Sequence, residues 1–71
     1  MKNPNFIIEL YSVDKKPQGY LKSVSIYHNK VLATPNINEA KTYAKVETAN
    51  KDTGIIMALT HGALLCNVVN I

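Results

Sequence analysis

Arginine is absent from this 71-residue chain, and cysteine occurs once. Bidentate recognition of phosphate and guanine is the work of a guanidinium, so its absence counts against sequence-specific nucleic-acid reading. The net charge of +3 rests on lysine alone. The lysines (Lys2, Lys15, Lys16, Lys22, Lys30, Lys41, Lys45 and Lys51) are scattered, which fits a solvated surface better than a binding patch. The lone Cys66 excludes an internal disulfide, and no Cys/His spacing suits zinc. Three scattered glycines form no phosphate-cradling loop. The carboxylates Glu9, Asp14, Glu39, Glu47 and Asp52 do not cluster, so no metal or cofactor is expected.

Long apolar runs are missing too. The run after Asn5 is interrupted at Glu9, too soon for a signal-peptide core, and no stretch reaches membrane-spanning length. A cytoplasmic protein with one small domain over residues 1–71 is the expectation. Without a staple, the core of a domain this small supplies a net stability of roughly 3–5 kcal/mol at most. With no disulfide or metal in prospect, self-association is the remaining source of stability.

The strands are legible from alternation. FIIELYSV, residues 6–13, reads as a strand with Phe6, Ile8 and Leu10 on the buried face and Ile7, Glu9 and Tyr11 on the other. Asp14 to Gly19 has turn chemistry: an Asp to open it, Pro17 to fix one backbone angle, and a glycine. Residues 20–27, YLKSVSIY, read as the return strand. Lys22 falls there on the face of Val24, which implies a nearby edge or a bulge. His28-Asn29-Lys30 is a second turn, and residues 31–33 a short third strand. ALLCNVVNI, residues 63–71, reads as a closing strand that pairs beside the first.

Between these strands lies the helical region. Asn36 followed by Glu39 matches a capping box and predicts a short helix with Ile37, Ala40 and Ala44 on one face and Tyr43 alongside. Val46 falls out of that register, which predicts a corner near Lys45 and a second helix from about Glu47 to Thr60. Its apolar side is Ala49, Ile56 and Leu59, flanked by Ile55 and Ala63. Gly54 inside it keeps a rival open, in which Asp52-Thr53-Gly54 turns the chain and Ile55–Leu59 is a strand. The fold class expected is α+β: an antiparallel sheet of three or four strands with two short helices on one face, in the order β-β-(β)-α-α-β.

The stretch Thr34-Pro35-Asn36-Ile37-Asn38-Glu39-Ala40, with Tyr43 and then Thr48-Ala49, preceded by Tyr20-Leu21, resembles a pattern in small uncharacterised bacterial and phage proteins. The resemblance covers Tyr20 to Ile71, and its motif concerns packing. It implies an α+β layer fold and a home in phage or prophage genomes of low-GC Gram-positive bacteria. It implies no catalytic residue. Gly54 departs from the pattern.

Single residues invite specific chemistry. Cys66 could act as a nucleophile with His28 or His61 as base, but its mid-strand apolar setting is that of a small buried hydrophobe. His61 before Gly62 suits a helix end. Tyr11 and Tyr27, with Ser23 and Ser25, could form an aromatic platform for single-stranded nucleic acid, or merely a cross-strand pair. The apolar surplus Ile7, Tyr11, Tyr27, Leu65, Val69 and Ile71 is the possible interface. The reading is therefore a non-enzymatic interaction protein, a homodimer or a binder of a host protein. Weak single-stranded nucleic-acid binding is the alternative.

Overall fold

The computed structural model describes residues 5–71, so Lys2 lies outside the described residues. Four strands form one antiparallel sheet: β1 (Phe6–Ser12), β2 (Pro17–Ser25), β3 (Lys30–Thr34) and β4 (Leu64–Asn70), in the order β3-β2-β1-β4. Among the described residues a single α-helix, α1 (Val46–Leu59), crosses one face. The α+β class and the antiparallel sheet are as expected, and β4 does pair beside β1. In place of the expected pair of helices there is one α-helix and one turn of 3-10 helix, Ile37–Glu39.

The β1–β2 turn closes through local polar groups. Ser12 N–H donates to Lys16 O and Lys15 N–H to Ser12 O, both at 2.9 Å, with Lys15 at a positive φ of 66°. Gly19 then meets a hard requirement. Its φ is +101°, and a Cβ there would lie 2.6 Å from the Thr34 carbonyl oxygen. In β2 the partners Leu21–Ala33 and Ser23–Leu32 leave Lys22 as the extra residue of a bulge. That bulge turns both Leu21 and Val24 toward the core and frees Lys22 to meet Glu39 at 3.5 Å.

The core is Ile8, Leu10, Leu21, Tyr43, Ala49 and Ile56, with Phe6, Val24, Val31, Leu64, Cys66 and Val68 packed around it. Each fully buried Leu or Ile contributes about 1.5–3 kcal/mol. The Phe6, Ile8, Leu10 face is thus as the alternation predicts. Ile7 is the exception on the other face: expected in the open, it is 1% exposed. It sits in the central strand, with Val69 of β4 on one flank and the Lys41–Tyr43 segment on the other.

That segment also explains the missing helix. The Asn36 side chain caps, accepting from Asn38 N–H at 2.9 Å, but the capping box is not completed: Asn36 N–H donates to Thr34 Oγ1, Glu39 meets Lys22, and the helix is only Ile37–Glu39. Ala40 is already extended, with ψ of 143°, and Ile37 and Ala44 are exposed. The cause is tertiary. Pairing of β1 with β2 runs from Glu9–Tyr20 to Tyr11–Pro17, and Phe6 and Leu21 find partners elsewhere. Phe6 and Tyr43 exchange two backbone hydrogen bonds of 2.8 Å, and Lys41 N–H donates to Leu21 O at 2.8 Å. Helix in residues 40–44 would leave those groups without partners, and local propensity yields.

α1 begins one residue before the predicted Glu47 and ends one before Thr60. It buries Ala49 and Ile56, and its Gly54 is helical, which rules out the rival hairpin. The C-terminus closes as a Schellman motif: Gly62 N–H donates to Met57 O at 2.9 Å and His61 N–H to Ala58 O at 3.4 Å. The left-handed position after the cap belongs to His61 (φ 54°), and Gly62 follows it at φ 79°.

Two glycines therefore give opposite expectations. A Cβ at Gly54 meets nothing within 4 Å, so Gly54→Ala should raise stability by about 1 kcal/mol. Gly19→Ala should lower it by roughly 1–3 kcal/mol through backbone strain alone, before its clash with Thr34 is counted. Urea denaturation of both variants checks the pair.

Candidate interaction surface

The sheet has two margins, and they differ. β3 is five residues long and starts with Lys30. β4 is seven residues, LLCNVVN, with no charge and no proline. Proteins that remain monomeric commonly blunt an edge strand with lysine, proline or a bulge, and β4 has none of these. Its register with β1 is continuous, from Phe6–Asn70 to Ser12–Leu64.

The direction of its backbone groups follows from the two ends. Ile71 N–H donates to Asn5 O at 2.9 Å, so Ile71 turns its polar groups toward β1. Orientation alternates along an antiparallel strand, so Val69, Asn67 and Leu65 do the same. Leu64, Cys66, Val68 and Asn70 turn theirs outward. Leu64 conforms, since its N–H donates to Thr60 Oγ1 at 3.4 Å instead of to β1. Among the described residues, β4 has no strand on its outer side.

The reverse face of the sheet, away from α1, carries three cross-strand rows: Tyr11–Leu65, Glu9–Asn67 and Ile7–Val69. Glu9 Oε1 accepts from Tyr11 Oη at 2.9 Å and from Asn67 Nδ2 at 3.2 Å. The Glu9 hydrogen bond, with a smaller part from burial, pushes the Tyr11 phenol above its ordinary pKa. The structure thus brings Tyr11, Leu65 and Val69 together, all half-buried, with the 55%-exposed Ile71 beyond the strand end. It does not bring in the other two interface candidates. Ile7 is covered within the chain, and Tyr27, 97% exposed, lies in the β2–β3 turn past Ser25. Tyr11 aligns with Pro17 at the opposite end of β2, so Tyr11 and Tyr27 share no platform. The return strand was expected to continue through Tyr27, and its end at Ser25 is what displaces that residue.

Cys66 sits opposite Leu10 and packs against the core, where burial pushes its thiol pKa up. That is the reverse of nucleophile activation. His28 lies in the β2–β3 turn and His61 just after α1. Among the described residues, no group of three or more His, Cys, Asp or Glu could hold a metal ion. A shallow hollow of about 250 Å³ beside Tyr11 and Tyr20 contains one carboxylate, Glu9, already engaged as above. No described helix is long and apolar enough to cross a membrane.

One cluster has no signal in the sequence. Tyr43 Oη donates to Asp52 Oδ2, Lys41 Nζ lies 3.4 Å from the same oxygen, and that ammonium is 5.2 Å from the Tyr43 ring centre. It pins the Lys41–Tyr43 segment to α1. No protein-family model, curated protein or solved structure matches this chain.

The cluster makes stability sensitive to alkali. Burial first, then the hydrogen bond to Asp52 and its charge, raise the Tyr43 pKa well above the ordinary 10.0. The neutral phenol is therefore favoured in the folded state. Its contribution is complete below the ordinary value and is lost as pH rises through the raised one. Urea midpoints at rising alkaline pH should fall in the wild type and fall less in Tyr43→Phe.

Proposed function

We propose that this is a non-enzymatic interaction protein that works as a homodimer, using β4 and the reverse-face residues beside it. The observation that supports this most is the composition of β4: a seven-residue edge strand without charge or proline. An edge of that kind left open is an aggregation hazard, and pairing it removes the hazard. Half-buried Leu65 and Val69 on the adjacent face gain from the same event. A small core gains stability from association as well.

The resemblance of the Thr34–Tyr43 motif adds a setting to this reading, a phage or prophage gene product at work in the bacterial cytoplasm. A host protein seated on the same edge is the heterologous form of the idea. Single-stranded nucleic acid has less support, because Tyr11 and Tyr27 lie at opposite ends of β2 and Glu9 sits next to Tyr11.

Sedimentation at micromolar concentration is expected to show a dimer. Val69→Lys places a charge among the apolar groups of that face and should weaken association at least tenfold, about 1.4 kcal/mol. It should also lower the melting temperature. A monomer at high concentration, with Val69→Lys unchanged, would overturn the homodimer.

A further inference from the structure

The geometry points to one particular dimer: two β4 strands pair antiparallel about a two-fold axis through Asn67, joining the sheets of two copies into one. The inference rests on the homodimer reading above and specifies its register. An isologous strand pair must present the same groups to itself, and β4 can do so. Its outward backbone groups belong to Leu64, Cys66, Val68 and Asn70, as the hydrogen bonds of Ile71 and Leu64 fix. These positions are symmetric about Asn67, the middle residue of Leu64–Asn70.

Centring the axis there places Cys66 opposite the partner's Val68 as a hydrogen-bonded pair. Leu64 falls opposite the partner's Asn70, where the Leu64 carbonyl accepts while its N–H stays with Thr60. Every outward N–H from Cys66 to Asn70 then has an acceptor. Any other register shortens the pairing and leaves outward groups at one end unpaired. The partner is a second copy because the strand carries no charge that would repel its twin or call for a complementary one.

The side chains agree with this register. On the reverse face Leu65 meets the partner's Val69, so apolar meets apolar on both sides of the axis. Asn67 meets its own counterpart, and both side chains are exposed and polar. The axis runs perpendicular to the sheet, so both copies of α1 stay on the same face.

Cysteine pairing tests the register. In the Cys66→Ser background, Asn67→Cys places two thiols across a non-hydrogen-bonded antiparallel pair, where Cα atoms lie about 4.5 Å apart and a disulfide fits. Mild oxidation should convert most of that variant to a covalent dimer. Leu65→Cys and Val69→Cys should each fail to cross-link alone and should cross-link when mixed. Sedimentation of each reduced variant verifies that it still folds and associates. A reduced dimer in which Leu65→Cys or Val69→Cys cross-links with itself would overturn the register. A reduced dimer that forms none of these disulfides would remove β4 from the interface. A reduced monomer would instead refute the homodimer reading itself.

Discussion

The central strand β1 needs partners on both sides, and β2 supplies them along only part of its length. Beyond Glu9–Tyr20 the two strands separate, and the backbone of Phe6 is completed by Tyr43 from a segment distant in the chain. Much else depends on that pair of 2.8 Å hydrogen bonds. They hold residues 41–43 extended and set where α1 can start. They also shield Ile7 from the flank that β2 leaves open. Tyr43 presents its ring to the core on one side of this junction and its hydroxyl to Asp52 of α1. One backbone requirement thus ties the loop, the helix and the sheet together.

Local chemistry made much of the fold legible. Ala49 and Ile56 at helical spacing located α1 to within a residue at each end, and of the two explanations open for Lys22, a nearby edge or a bulge, the structure shows the bulge. Asp14 marked the first turn, but the turn expected through Gly19 ends sooner, because Pro17 to Gly19 already pair with β1 as the start of β2. The helix expected over residues 37–44 had sound local grounds, a capping residue and apolar spacing, and the cap itself forms. What overrode it was the need of Phe6 and Leu21 for partners, which no local pattern encodes. The Lys41–Tyr43–Asp52 cluster was hidden for the same reason.

The candidate surface was legible in part. Alternation placed Tyr11, Leu65 and Val69 on one face, and the structure keeps them there. It placed Ile7 with them correctly but could not tell that this position is shielded from both flanks. Tyr27 was carried onto the face by a strand read two residues too long. The closing strand was readable as a partner of β1, but that its other side is an edge among the described residues follows only from the strand order. Which of its amides point outward required the Ile71–Asn5 hydrogen bond. The proposed homodimer would extend the logic that governs β1 to the sheet margin: outward amides at Cys66, Val68 and Asn70 would find acceptors on an identical strand.

Amide hydrogen exchange followed residue by residue at two protein concentrations tests that idea most directly. Leu65, Asn67 and Val69, bonded to β1, should be protected at both. Cys66, Val68 and Asn70 should be protected only at the concentration where the protein associates and should exchange rapidly on dilution. Rapid exchange of Cys66, Val68 and Asn70 in an associated sample would contradict the account.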